Sequence, residues 1–334
     1  MRVSVLSASR AISEFIASYD EEGLLEIVPL RRPFFAPESL FRMPSRLAVL
    51  LLNYQRIAAF RYIATTEVSS AYLRKIPGFS SKMIQLKHGA GDREGGYRSR
   101  HGAYDLTLVI GEKDRERLIE RGLATTENCM VTGYAKFELM APQQRFFDND
   151  RPVVLYNPHF DRSLSSWINH GPEILRCLES ITDFNFIIAP HVKMAAKFSA
   201  LRSSAPNIYI DPGSRSSIDM SYTNSADIYL GDVSSQVYEF ISRPRPCLFL
   251  NLDHIRWHDD PHFTHWRMGQ VVEQLTDLPA ALRQARALQP QFEPAQRSVL
   301  DYSVSLSAIP ASTRQAEAII EFINASEAVT VDAI

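Results

Sequence analysis

Apolar residues along the chain fall into short runs of three to six, with longer stretches between them where apolar positions recur at helical spacing. In the first half the runs are Val3–Leu6, Leu25–Pro29, Phe60–Thr65, Met83–Leu86, Leu106–Ile110 and Cys129–Thr132. A second series holds Val153–Tyr156, Phe184–Ile188, Ile208–Ile210, Ile228–Leu230, Cys247–Leu250 and Val271–Glu273. Their length and β-branched, aromatic content predict strands. Trp167–Ile181, Met194–Ser203, Ser235–Ser242, Pro279–Ala287 and Ser312–Asn324 read as helices. Parallel strands need crossover connections, so strands alternating with helices predict an α/β fold with mostly parallel sheets.

Between the two series lies a polar, proline-bounded stretch, Pro142 to Pro152, which reads as an interdomain linker. The expected organisation is two facing Rossmann-like domains, 1–141 and 142–311, with residues 312–334 forming a helix that packs back on the first. The length of 334 residues suits two hydrophobic cores better than one.

Ligands of open parallel sheets bind beyond the carboxyl ends of the strands. Four predicted exits carry unusual polar residues: Lys87-His-Gly-Ala-Gly-Asp92, Tyr156-Asn-Pro-His159, Ala189-Pro-His-Val-Lys193 and Gly231-Asp-Val-Ser-Ser235. The turn Asp232-Val-Ser-Ser235 opens a helical pattern, where hydroxyls and free N–H groups suit a diphosphate. Serine and aspartate are equally common as plain N-caps, and residue type alone does not separate the two roles. His88 leaves its strand into a loop in which Gly89 permits close backbone approach, and an imidazole there can accept a proton. His191 and Lys193 are placed to balance charge on a leaving phosphate. Asn157 and His159 are candidates for lining the same cleft.

Composition narrows the function. Lys+Arg number 36 against Asp+Glu 38, a balance that lacks the basic surplus nucleic-acid binding requires. The three cysteines, Cys129, Cys177 and Cys247, form no CxxC pair and are expected as reduced thiols. Neither a signal peptide nor a run of about 20 apolar residues is visible, so a cytoplasmic protein is expected. His258, Asp259, Asp260, His262 and His265 cluster in sequence, but their spacing matches no standard zinc pattern. A polar loop over the cleft is the expectation there, with no metal. Residues 39–63 place Arg42, Arg46, Arg56 and Arg61 among bulky apolar residues with no acidic one. Such a segment suits either a helix lying on an anionic membrane face or one packed in the core. No GxxxxGK[ST] loop, GxSxG elbow or HExxH helix is present.

Together, His88-Gly89, Pro190-His191, Asp232-Val-Ser-Ser235 and Arg245-Pro246 resemble the ordered motifs of the CDP-glycerol glycerophosphotransferase family of teichoic-acid-type polymer synthesis. More distantly they resemble other GT-B enzymes and the UDP-N-acetylglucosamine 2-epimerases. The resemblance implies a GT-B fold with the nucleotide held mainly by the C-terminal lobe. It implies His88 as the base on an acceptor hydroxyl, and His191, Ser234 and Ser235 as contacts to the donor phosphates. Donor and acceptor would be a nucleotide-activated polyol phosphate such as CDP-glycerol and a glycan or lipid-linked acceptor, with no separate cofactor. The chain departs from the family pattern at Asp92 and Arg93, where a lysine is common, and in Tyr156-Asn-Pro-His-Phe-Asp-Arg162. Three other functions share this layout: a glycosyltransferase using a CMP- or UDP-sugar, a sugar-nucleotide epimerase drawing on Glu67, Asp92 or Glu94, and a non-catalytic nucleotide-binding subunit.

Overall fold

The computed structural model describes residues 3–33, 46–92, 97–211 and 213–331. Its strands fall where the apolar runs predict them: β1 (Val3–Ser7), β2 (Leu25–Pro29), β3 (Tyr62–Thr65), β4 (Lys82–Leu86), β5 (Leu106–Val109) and β6 (Cys129–Val131) in the first series. The second comprises β7 (Val153–Asn157), β8 (Asn185–Ile188), β9 (Ile208–Ile210), β10 (Ile228–Gly231), β11 (Cys247–Leu250) and β12 (Gln270–Val272). All pairings among the described residues are parallel. They build a six-stranded sheet ordered β12-β11-β10-β7-β8-β9, a four-stranded sheet ordered β3-β4-β5-β6, and a separate pair β1-β2.

The larger sheet is buried on both faces, which is why its strands read as nearly continuous apolar runs. Successive side chains point to opposite faces. Leu155, Ile187, Tyr229 and Phe249 pack on one side, while Val154, Tyr156, Phe186, Ile188, Ile228, Leu230 and Leu248 pack on the other.

The first-half helices are α1 (Arg10–Ala17), α2 (Arg46–Leu52), α3 (Tyr54–Ala58) and α4 (Glu112–Glu120). Those of the second half are α5 (Ser166–Ser180), α6 (Ala195–Phe198), α7 (Ser221–Ser225), α8 (Gln236–Phe240), α9 (Leu278–Ser303) and α10 (Ala311–Val331). Of the basic apolar segment, residues 39–45, with Arg42, lie outside the described residues. In the remainder Val49 and Ile57 are buried, while Leu47, Leu51 and Leu52 are exposed. Arg46 pairs with Glu67, and Arg56 donates to the Pro29 carbonyl.

Helix α9 runs well past the expected end at Ala287. Pro290 and Pro294 lie within it. Each proline removes one N–H donor, but the helix beyond them is held by tertiary contacts. Gln296 is buried and donates to the Met268 carbonyl at 2.8 Å, and Leu300 joins the core. The first half of α9 buries Leu278, Leu282 and Ala285 on the large sheet. Its end meets the four-stranded sheet, where Ser305 N donates to Ile110 O at 2.9 Å. Gly111 is required there, because a Cβ would stand 2.4 Å from the Ser303 carbonyl carbon. The chain thereby crosses back, and α10 lays Ala318, Ile319 and Phe322 over Ile84, Leu106 and Leu108 of β4 and β5. Among the described residues no helix is long and apolar enough to cross a membrane.

Candidate functional site

The strand order of the large sheet reverses between β7 and β10, and a crevice opens at such a switch point. Asp232 follows β10 and is buried beneath it. Its carboxylate accepts from the backbone N–H of His159 at 2.9 Å, Ser166 at 2.8 Å and Val233 at 2.7 Å, and from the Ser166 hydroxyl at 2.9 Å. Burial pushes the carboxyl up to about 6 against the pull of those donors. Asp232 therefore stitches the β7 exit to the β10 exit and shapes the crevice from below. Asn157 and Ser234 are buried in the same layer: Asn157 Nδ2 donates to the Ala189 carbonyl at 2.6 Å, and Ser234 Oγ accepts from Gln236 N at 3.3 Å. These three residues brace the turns rather than line the cleft.

Arg245, of the Arg-Pro pair, is also structural. Its guanidinium donates to the carbonyls of Ala226, Thr223 and Phe240, gathering the ends of α7 and α8, and lies 3.8 Å from the Phe240 ring centroid.

The cleft itself, about 670 Å³, lies between the two halves of the chain. From the N-terminal side it is lined by His88, Gly89 and Gly91, and from the C-terminal side by His191, Lys193 and Ser235. His88 is exposed, and its Nδ1 stands 2.9 Å from the Thr66 carbonyl. A carbonyl only accepts, so Nδ1 carries a proton, and in the neutral ring Nε2 is the nitrogen with the lone pair. For His191 the tautomer is reversed: Nδ1 accepts the Lys193 N–H at 3.2 Å, which leaves Nε2 as an N–H donor. The His191 ring packs 4.5 Å from Phe160, and the Lys193 ammonium lies 4.0 Å from the same ring centroid. His88 and these groups thus line one cleft from the two halves of the chain.

The two sides touch at the glycine loop. A Cβ on Gly91 would meet Ser235 Cβ at 3.1 Å, and one on Gly89 would meet Ser235 Oγ at 3.5 Å. The Tyr134 hydroxyl lies 3.3 Å from the His88 carbonyl and 2.9 Å from Glu239, which Lys136 holds at 2.7 Å. The His88 loop is thereby tied to α8.

The histidine-rich segment disperses. His265 is buried and bridges Asp92 and the Asp232 carbonyl, His258 stacks on Trp257, and His262 binds Asp260 at the cleft rim. Among the described residues no group of three or more His, Cys, Asp or Glu is arranged to hold a metal ion.

Sequence reasoning missed Lys87, Gln85, Arg98 and His101, which line the cleft. Lys87 stands at the β4 exit beside His88 but carries no signal of its own in the sequence. His101 sits on a short 3-10 turn, Ser99–Ala103, after no strand at all.

No protein-family model matches the chain, and a search of curated proteins found none similar. Solved structures do match. A variant of wall teichoic acid polymerase TagF with CDPG aligns over 98% of this chain and 89% of that one, at 12% identity and a TM-score of 0.62. The chain has a GT-B fold. S. aureus MnaA with UDP gives a TM-score of 0.57 at 12% identity, covering 97% of both chains. UDP-GlcNAc 2-epimerase from Neisseria meningitidis, bound to UDP-GlcNAc, gives 0.56 at 13% identity, covering 96% of this chain and 100% of that one. At these identities the likeness is one of fold.

Proposed function

We propose that this GT-B protein is an enzyme that moves a glycerol-phosphate, or a related polyol-phosphate or sugar, from a nucleotide-activated donor such as CDP-glycerol to a glycan or lipid-linked acceptor. The observation that carries the reading is the opposition of His88 to His191, Lys193 and Ser235 across one cleft. His88 Nε2 removes the proton from an acceptor hydroxyl. In polyol-phosphate transfer that oxygen attacks the phosphorus carrying the polyol, the bond between the two phosphates breaks, and CMP leaves. His191 and Lys193 meet the charge that develops on the leaving phosphate, while Ser235 faces the diphosphate. Sugar transfer from a CMP- or UDP-sugar uses the same opposition with attack at the anomeric carbon.

Similar solved structures carry CDPG, UDP or UDP-GlcNAc, which supports a nucleotide-linked substrate. The epimerases among them favour a second reading, epimerisation of a sugar nucleotide. Its chemistry needs carboxylates near the sugar. Asp161 and Asp260 line the cleft, while Asp92 is sequestered against Lys113, Glu67 pairs with Arg46, and Glu94 lies outside the described residues. The exposed leucines of α2 and the neighbouring arginines support a peripheral contact with an anionic membrane, where a lipid-linked acceptor resides.

The deciding experiment incubates purified protein with CDP-glycerol, CMP- and UDP-sugars and glycan or lipid-linked acceptor extracts. Release of CMP, CDP or UDP that depends on acceptor identifies the transfer. Deuterium uptake from solvent into a UDP-sugar without acceptor would replace it with the epimerase. Nucleotide binding without turnover would leave a non-catalytic subunit.

A further inference from the structure

His101 lines the cleft on the same side as His88, yet it is almost wholly buried, at 4% exposure. Its Nδ1 lies 3.0 Å from Gln85 Oε1. An amide oxygen only accepts, so Nδ1 carries the ring proton and Nε2 presents a lone pair. That Nε2 is buried and has no hydrogen-bond partner. Buried polar atoms are normally paired, and an unpaired one carries the full cost of leaving water. The ring is also kept neutral: burial and the nearby Lys87 ammonium push its pKa down to about 4. Lys87 does not donate to this nitrogen; its ammonium is held at 2.7 Å by Asp114.

A neutral imidazole with a bare nitrogen has definite chemistry. It repels phosphate and carboxylate oxygens, and it accepts from an O–H or N–H. In this cleft it suits an uncharged hydroxyl-bearing group, while the Lys193 ammonium and the Nε2–H of His191 suit phosphates. We infer that His101 Nε2 is the receptor for a hydroxyl of the polyol or sugar attached to the donor's diphosphate, and so fixes which carbon skeleton is presented to His88. The inference rests on the nucleotide-donor reading given above. His101 acts here by selection and positioning, while His88 moves the proton.

The test combines nitrogen NMR on protein with isotope-labelled histidine and binding measurements on two variants. Probes are CDP-glycerol and UDP-GlcNAc, with CDP and UDP as the same nucleotides lacking the hydroxyl-bearing group. The expected resting state has His101 Nε2 unprotonated at neutral pH. Its resonance moves upfield, the direction of accepted hydrogen bonding, with CDP-glycerol or UDP-GlcNAc but not with CDP or UDP. His101→Phe binds the hydroxyl-bearing probe about tenfold more weakly, the effect of one buried hydrogen bond left unmade. It binds CDP or UDP as the parent does, which also shows that the variant folds. His101→Gln, whose amide oxygen reaches a similar point, recovers most of the loss.

A resting Nε2–H overturns the assignment. So does undiminished affinity of His101→Phe for the hydroxyl-bearing probe, or an equal loss for CDP and UDP, which marks a purely structural residue. If no probe binds the parent protein, the nucleotide-donor reading falls and this subsite with it. Probe binding that leaves Nε2 unmoved removes the subsite alone.

Discussion

The Tyr238 hydroxyl, on helix α8, donates to the carboxylate of Asp92 at the end of the glycine loop. Lys113 approaches the same carboxylate at 2.8 Å and His265 at 3.3 Å, and the Lys113 ammonium lies 4.2 Å from the Tyr238 ring centroid. One fully buried carboxylate therefore joins groups from both halves of the chain directly beneath the cleft.

Burial alone would raise the Asp92 pKa, but His265 and Lys113 outweigh it and hold the carboxyl well below its ordinary value. Burial holds Lys113 below its own ordinary value, against the pull of Asp92 and Asp114. Asp92→Asn leaves a buried ammonium without its counter-ion, and the expected cost at pH 7 is about 3 kcal/mol, read from urea unfolding. The sign with pH follows from the depressed folded value. The contribution is complete above the ordinary carboxylate pKa and is lost as pH falls below about 4 toward the folded value. The stability gap between parent and variant should therefore narrow on acidification. A gap that stays constant would show that the carboxylate's charge is not what matters.

Replacing His88 by Ala should lower kcat by about 100- to 10,000-fold, the range of a lost general base. Donor affinity should stay within about twofold, since the contacts proposed for the phosphates lie on the opposite side of the cleft. Single-turnover rates and donor titration on the same preparation separate the two effects. A large change in donor affinity with normal turnover would assign His88 to binding.

The glycine loop offers a paired comparison. Gly91→Ala forces Cβ to 3.1 Å from Ser235 Cβ, whereas Gly89→Ala makes ordinary contact with Ser235 Oγ at 3.5 Å. Gly91→Ala should shift the serine turn and weaken nucleotide binding several-fold, roughly 1 kcal/mol in an overpacked contact. Gly89→Ala should leave binding nearly unchanged. Equal behaviour of the two variants in calorimetric titration would count against a tight contact at residue 91.

Arg245→Lys keeps the charge but cannot donate to three carbonyls from one plane. A loss of about 2 kcal/mol in denaturant unfolding is expected from the carbonyls left unpaired. Unchanged stability would show that the carbonyls find other donors.

For the membrane contact, sedimentation with anionic vesicles should fall for Leu51→Glu and for Arg46→Gln with Arg56→Gln. Neutral vesicles should bind neither parent nor variants. Equal sedimentation of all forms would remove the membrane contact from the proposed function.

The strands were legible because both faces of the large sheet are covered, so β7, β8, β10 and β11 are apolar along nearly their whole length, with asparagines only at the end of β7 and the start of β8. The strand-exit rule then located His88, His191 and Ser235. It went less far with Asp232, Ser234 and Asn157, because a polar residue at a strand end looks the same in sequence whether it meets a ligand or a backbone N–H. Only the structure shows Asp232 accepting from His159, Ser166 and Val233. His101 was invisible for a different reason. It belongs to no strand exit, and its place depends on Gln85, sixteen positions earlier. The continuation of α9 past Pro290 was hidden likewise, since what sustains it is Gln296 meeting Met268 from a distant part of the chain.

The helix α10 that covers Ile84 and Leu108 has a consequence for synthesis. Chains emerge from the ribosome amino end first, and early units usually fold while later ones are still being made. Here the four-stranded sheet waits for residues 311–331 to cover one of its apolar faces. The larger sheet, formed from residues 153–272, has its strands available earlier. The nascent protein should therefore complete its second sheet first, holding an open apolar surface on the four-stranded sheet until residues 311–331 have emerged.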